Sequence, residues 1–205
     1  MRKEIIICGF GGQGIVLAGY ILGYAAAVKA GLESSFVPSY GPEARGGECA
    51  SRIVISDEKI DYPFIEGADI LITMSQPAYN KYVEFLRENG ILLYDSDLVT
   101  LDSRAKKASK VYAIPATRIA ENLGNRIVAN IVMLGFFSAV TKVIDYDHLK
   151  EAVADRVPRR FLELNLRAFD AGYEYGLKIL WIKDLKRKES TSQNKLREEL
   201  ILIEK

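Results

Sequence analysis

The stretch that decides the fold is Gly9-Phe10-Gly11-Gly12-Gln13-Gly14, here called the glycine turn. It follows the apolar run at residues 4–8, which predicts a buried strand, and it precedes an Ala- and Leu-rich segment at 15–30, which predicts a helix. The pattern is G-x-G-x-x-G at a strand-to-helix junction. Glycines there allow a tight turn and a close approach to a pyrophosphate, to which the helix N-terminus offers free N–H groups. A turn needed only for packing is the alternative. The candidate ligand-binding residues of this turn are Gly9, Gly11, Gly12, Gln13 and Gly14.

The second predicted strand, at residues 34–38, lacks the acid that a dinucleotide-binding unit needs. That acid holds the ribose hydroxyls from the end of the second strand. Here the strand ends Phe36-Val37-Pro38-Ser39, while Glu33 precedes it and Glu43 lies well inside the next loop. An NAD-dependent oxidoreductase therefore stays an alternative with little support. The pyrophosphate of coenzyme A suits the same turn.

Strands alternate with helices along the first two thirds of the chain, which predicts right-handed crossovers and a largely parallel sheet. The predicted class is α/β: a doubly wound, Rossmann-like, mostly parallel sheet with flanking helices and a C-terminal helical extension. We expect one domain over residues 1–182 and a charged tail over 183–205. Further strands are predicted at 49–56, 59–62, 69–74, 91–94 and 110–114, and helices at 77–88, 116–122, 126–143, 148–155 and 159–181.

A polar loop after the second strand, residues 39–47, is here called the second loop. Loops at the carboxyl ends of adjacent strands meet where ligands bind in such sheets. The guanidinium of Arg45 suits a phosphate or carboxylate, because its donors bind bidentately. A surface ion pair between Arg45 and Glu43 is the alternative. The candidate residues in this loop are Ser39, Tyr40, Glu43, Arg45, Gly46 and Gly47.

The composition argues against several classes of partner and against a metal site. The 28 basic and 27 acidic residues nearly cancel, so neither nucleic acid nor an anionic membrane is expected as a partner. No signal-peptide core or membrane-spanning run is visible, which predicts a cytoplasmic protein. Two cysteines and one histidine are too few to hold an iron–sulfur cluster or a structural zinc, so no metal site is expected. Cys8 is predicted to be a small core residue, and His148 a surface residue.

Three motifs strongly resemble the gamma subunit of 2-oxoacid:ferredoxin oxidoreductases. They are the glycine turn, Ser-Tyr-Gly-Pro-Glu-Ala-Arg-Gly-Gly at 39–47, and Leu-Gly-Asn at 123–125 with Ala-Asn-Ile-Val-Met-Leu-Gly at 129–135. The likeness covers residues 5–176, and the second motif is the distinctive one. Asn130, in the third motif, is a polar group in an apolar helix. It either contacts a ligand or makes a capping or interhelical hydrogen bond.

The resemblance implies a role within a larger enzyme. The family's holoenzyme decarboxylates a 2-oxoacid on thiamine diphosphate, passes electrons through iron–sulfur clusters to ferredoxin, and transfers the acyl group to coenzyme A. The gamma subunit resembles a module that helps to bind coenzyme A and packs against the thiamine-bearing subunits. By position, the glycine turn would meet the pyrophosphate, and Arg45, Gly46 and Gly47 would face the catalytic interface.

The resemblance also implies which cofactors other subunits would bind. Thiamine diphosphate and the clusters would lie in other subunits, so the isolated chain would hold no catalytic residue and be inactive. The 2-oxoacid stays open, with 2-oxoglutarate favoured over pyruvate and branched-chain acids on overall likeness. A pure scaffold, in which the glycine loops serve only subunit docking, is the second alternative.

Overall fold

A computed structural model describes residues 1–40 and 47–203, with side chains except those of Tyr40 and of residues 186–203. It contains a six-stranded sheet in the order β2-β3-β1-β4-β5-β6. The strands are β1 Arg2–Phe10, β2 Glu33–Tyr40, β3 Glu48–Ser56, β4 Ala68–Thr73, β5 Leu86–Asp95 and β6 Lys110–Ile114. Pairing is parallel from β1 through β4 and β5 to β6, whereas β3 runs antiparallel to both β1 and β2. The predicted α/β class with a mostly parallel sheet is confirmed.

Six α-helices connect and cover the described strands. They are α1 Ile15–Tyr24, α2 Gln76–Tyr82, α3 Ala116–Asn122, α4 Ala129–Thr141, α5 Tyr146–Arg156 and α6 Leu162–Ile203. Helix α1 continues as a π-helical turn over Ala25–Lys29, and a short 3₁₀ segment, Arg126–Val128, leads into α4. The C-terminal helical extension is confirmed as part of α6, which runs through the domain boundary predicted at residue 182.

The two faces of the sheet carry separate parts of the core, because successive side chains of a strand point to opposite faces. Ile5 and Ile7 of β1 pack with α1 and α4, whereas Ile6 and Cys8 pack on the other face with α2. Cys8 is fully buried, as predicted, and burial raises the pKa of its thiol. This arrangement is the doubly wound one, with helices on both sides.

The last helix was predicted to end at residue 181, whereas α6 continues to Ile203. Two further local predictions were wrong. Residues 59–62 form no strand, so β3 has no partner there. The helix predicted over residues 77–88 ends at Tyr82, passes through a 3₁₀ turn at Val83–Phe85, and gives way to β5 at Leu86. Leu86 is buried and pairs with Ala68, so tertiary pairing outweighs the local helix preference.

Helix α4 is the centre of the helical layer, since its residues from Ala129 to Val140 are all buried. Its main contact is with α6. Within the described part of the chain, no helix is both long and apolar enough to cross a membrane.

Candidate functional site

The carboxyl ends of the parallel strands meet at one edge of the sheet, and the glycine turn lies there. The turn begins at the end of β1 and ends at Gly14, which forms the N-cap of α1 with a φ of 71°. Gly12 also has a positive φ, 98°. A positive φ disfavours residues with a Cβ, so both glycines are needed for the backbone path itself. A Cβ on Gly12 would meet no atom within 4 Å, so this side of the turn is open.

Gln13 anchors the glycine turn rather than reaching out of it. Its Oε1 accepts a hydrogen bond from the Phe10 amide at 2.6 Å, and its Nε2 donates to the Met74 carbonyl at 2.8 Å. A Cβ on Gly9 would lie 2.5 Å from that same Oε1, which explains a glycine at this position. Because both ends of the Gln13 amide are hydrogen-bonded within the fold, this side chain is not free to contact a ligand.

Asn130 supports the same turn from α4. Asn130 is 3% exposed, and its side chain donates to the Gly14 carbonyl at 3.0 Å and accepts from the Ile131 amide at 3.0 Å. A Cβ on Gly14 would overlap the Asn130 amide group. These contacts favour the interhelical hydrogen bond that was the alternative for Asn130. Direct contact of this side chain with a ligand stays a prediction.

A cleft of about 210 Å³ opens beside the glycine turn. Its lining residues are Gly12, Gln13, Met74, Thr117, Arg126, Ile127 and Ala129. The Arg126 side chain is 61% exposed, and its nearest carboxylate, that of Glu121, lies 4.0 Å away. Ile127 is also exposed. The cleft therefore combines open glycine backbone, an apolar wall and a guanidinium group, a set that suits a ligand with an apolar part and an anionic part.

A buried carboxylate fixes one wall of this cleft. Asp95, at the end of β5, accepts hydrogen bonds from the amide and hydroxyl of Thr117 at 2.9 and 2.6 Å, and from the Asp97 amide at 3.0 Å. Burial raises the pKa of Asp95, whereas these hydrogen bonds lower it. The bonds tie the first turn of α3 to the sheet and hold Thr117 at the cleft.

The second loop starts and ends at the same edge as the glycine turn. Tyr40, the last residue of β2, pairs with Cys49, and Glu48 pairs with Phe10. The Gly11 amide donates to the Gly47 carbonyl at 2.8 Å, which joins the two loops directly. The strands that precede the loops are not adjacent, however, because β3 lies between β1 and β2. Glu43, Arg45 and Gly46 lie outside the described residues, as does the side chain of Tyr40.

Five residues of the cleft were not among the candidates predicted from the sequence: Met74, Thr117, Arg126, Ile127 and Ala129. Two of them could have been predicted from their positions in the sequence. Met74 directly follows β4 and Thr117 follows β6, and residues after parallel strands share the ligand-binding edge of such sheets. Arg126 and Ile127 belong to the 3₁₀ segment before α4, for which the sequence offered only proximity to Asn130.

Comparison with known proteins gives consistent matches. Residues 4–175 match the family model described as pyruvate ferredoxin/flavodoxin oxidoreductase. The chain is 50% identical over 175 residues to a 2-oxoglutarate synthase subunit, KorC, of Methanocaldococcus jannaschii, with 85% of this chain and 94% of that protein covered.

Two solved structures resemble the fold. One is the gamma subunit of a keto/oxoacid ferredoxin oxidoreductase from Geobacter sulfurreducens, with a TM-score of 0.75, 40% identity, and 86% of this chain and 99% of that chain covered. The other is a 2-oxoglutarate:ferredoxin oxidoreductase from Magnetococcus marinus, which contains 2-oxoglutarate, coenzyme A and succinyl-CoA. It gives a TM-score of 0.75 at 26% identity, with 87% of this chain and 31% of that chain covered.

Proposed function

Because the chain belongs to the pyruvate ferredoxin/flavodoxin oxidoreductase family, we propose that it acts as the gamma-type subunit of a 2-oxoacid:ferredoxin oxidoreductase and helps to bind coenzyme A. The observation that carries the coenzyme A role is the cleft beside the glycine turn. Open backbone at Gly12, an apolar wall and the guanidinium of Arg126 lie together there. The pyrophosphate of coenzyme A would contact the open backbone and the guanidinium, and its extended pantetheine arm would contact the apolar wall.

The redox and decarboxylation cofactors are proposed to lie in partner subunits. The chain has two cysteines, both buried, whereas an iron–sulfur cluster takes about four thiolate ligands. Thiamine diphosphate, bound in a partner, would supply the decarboxylation chemistry. This chain would bind the acyl acceptor and complete an interface. Isolated, it is expected to be colourless and inactive. The KorC relative supports 2-oxoglutarate as the favoured 2-oxoacid.

In the second loop, the proposed ligand-facing residues are Ser39, Tyr40, Glu43, Arg45, Gly46 and Gly47. Support comes from the join between the loops, since Gly11 bonds to Gly47 and so holds the end of the second loop against the glycine turn. Arg45 is proposed to bind a phosphate or carboxylate group through its guanidinium. The range of the domain, 1–182, likewise stays a proposal.

Coenzyme A, but not NADH, is expected to raise the melting temperature of the purified chain. At tenfold above its dissociation constant, a ligand that binds only the folded state should raise it by about 3–6 °C in a domain of this size. NADH should fail because the acid of β2, Glu33, lies at the start of the strand, away from the cleft. Equal protection by both ligands would support a dehydrogenase, and protection by neither would favour the scaffold.

Replacing Arg126 with alanine is expected to raise the holoenzyme KM for coenzyme A about tenfold, because a charge-assisted hydrogen bond to phosphate contributes about 1.5–3 kcal/mol. Arg118→Ala is the matched control, since Arg118 is equally exposed but pairs with Asp97 at 2.8 Å. Steady-state kinetics with varied coenzyme A would measure both variants. Equal KM values for the two variants would remove Arg126 from the site.

A further inference from the structure

Asn130 connects two walls of the cleft. One wall is the glycine turn with Gly12 and Gln13, and the other is the chain from Arg126 to Ala129, which runs directly into α4. The Asn130 side chain reaches from the second wall to the first, because its Nδ2 donates to the Gly14 carbonyl at 3.0 Å. The start of α4 and the start of α1 are therefore tied together beside the cleft.

The two partners of this side chain require an amide group. The Gly14 carbonyl can only accept a hydrogen bond, whereas the Ile131 amide, 3.0 Å from the Asn130 Oδ1, can only donate one. Because Asn130 is 3% exposed, water is poorly placed to replace either partner. Aspartate would offer acceptors alone and leucine would offer neither group, so neither residue could make both bonds.

The Gly14 carbonyl is also the first hydrogen-bond acceptor of α1, since it accepts the Ala18 amide at 2.9 Å. Asn130 thus binds the oxygen at which the helix starts, next to the amides that a pyrophosphate would meet. The fit is close, because a Cβ on Gly14 would overlap the Asn130 amide group. Packing keeps the two walls from moving closer here, and the hydrogen bond keeps them from moving apart.

We propose that Asn130 is a positioning residue for coenzyme A. Its hydrogen bond to Gly14 sets the distance between the backbone amides of the glycine turn and the guanidinium of Arg126. The inference rests on the coenzyme A role proposed for the cleft. A pyrophosphate held by both walls needs them at a fixed separation, because hydrogen bonds weaken steeply outside their normal geometry. Asn130 acts through Gly14, since both ends of its own amide already have partners.

Asn130→Asp tests this role, because it keeps the shape of the side chain and removes only its donor. The variant should fold, since the first turn of α4 favours a negative charge. Repulsion between the carboxylate and the Gly14 carbonyl should part the walls and raise the holoenzyme KM for coenzyme A about tenfold, as expected when a buried hydrogen bond is lost. The rate of the decarboxylation half-reaction should stay within about twofold of normal, because that step precedes acyl transfer.

Ser138→Ala is the matched control in the same helix. Ser138 lies about 12 Å further along α4, and its buried hydroxyl donates to the Ile144 carbonyl at 3.0 Å. This variant also loses one buried hydrogen bond to a carbonyl, so its stability should fall while its KM for coenzyme A stays unchanged. A KM raised equally in both variants would overturn the proposal, because general loosening of α4 would then be the cause.

A double-mutant cycle separates positioning from direct contact with the ligand. If Asn130 acts by holding the turn and Arg126 at the right distance, Asn130→Asp should raise the KM less than about threefold in an Arg126→Ala chain. Fully additive effects would mean that the two residues act independently, which overturns the positioning role. If Arg126→Ala and Gly12→Val leave the KM unchanged, the proposed function fails and this inference with it. If they raise the KM but Asn130→Asp does not, only the positioning role is overturned.

Discussion

Gly135→Ala is expected to lower the free energy of unfolding by about 2 kcal/mol, because α4 and α6 touch backbone to backbone at this residue. A Cβ on Gly135 would overlap the Phe169 carbonyl and lie 2.9 Å from the Tyr173 amide nitrogen. The contact is reciprocal, since a Cβ on Gly172 would overlap the Val132 carbonyl. The helices would have to separate to admit a methyl group, and overpacking of this kind costs about 1–3 kcal/mol or more. The intrinsic helix preference of alanine, about 1 kcal/mol, offsets part of that cost.

The matched control is Gly23→Ala in α1. A Cβ there would lie 3.3 Å from the Ser34 hydroxyl and 3.6 Å from Phe36 Cβ, so a small shift admits it. This variant should change stability by less than about 1 kcal/mol in either direction. Urea denaturation followed by circular dichroism would measure both proteins. Equal stability of the two variants would mean that α4 and α6 do not approach as closely as described.

The close approach of α4 and α6 shows what a single sequence predicts and what it leaves out. Hydrophobic patterning predicted α4 and the start of α6 within three residues, but it did not predict that α6 continues beyond residue 181 to Ile203. Their mutual position depends on Gly135, Gly172 and Gly176, which are spaced for close packing of helix backbones. Small residues at such spacing are compatible with many partners, so the sequence predicts that a helix approaches closely there but not which one.

At the candidate site, the sequence likewise predicts that Asn130 needs a partner but does not identify it. A buried polar side chain in an apolar helix requires a hydrogen-bond partner, and that much follows from the sequence. The partner is the Gly14 carbonyl, 116 residues away in the chain. Only the packing of α4 against the start of α1 identifies it, and so only the fold distinguishes support of the glycine turn from contact with a ligand.

The antiparallel pairing of β3 with β2, in contrast, was predictable from the length of the connection between them. Only seven residues join Tyr40 of β2 to Glu48 of β3. A parallel crossover takes about a dozen residues or more, so the two strands must form an antiparallel hairpin. With β3 inserted between β1 and β2, the second loop reaches the glycine turn through the bond from Gly11 to Gly47 rather than through adjacent strands.

Gly12→Val is expected to raise the holoenzyme KM for coenzyme A about 100-fold while leaving the decarboxylation half-reaction within about twofold of normal. The structure leaves open space where the new side chain would begin, since no atom lies within 4 Å of a Cβ there. Valine should therefore fill the mouth of the cleft rather than clash with the core. It would push the pyrophosphate away from the turn, and losing one or two charge-assisted hydrogen bonds costs about 2–3 kcal/mol.

Backbone strain at Gly12 has to be separated from this effect, because its φ of 98° disfavours valine by about 1–3 kcal/mol. Gly31→Val is the control: Gly31 has a φ of 66°, a Cβ on it would meet no atom within 4 Å, and it precedes β2 at the opposite edge of the sheet. Gly31→Val should lose stability with an unchanged KM for coenzyme A.

Both half-reactions would be measured in one preparation, with subunit assembly checked by gel filtration. Loss of both half-reactions together with dissociation of the subunits would mean that the turn serves packing and that the chain is a scaffold. Loss of neither would mean that other subunits bind coenzyme A by themselves.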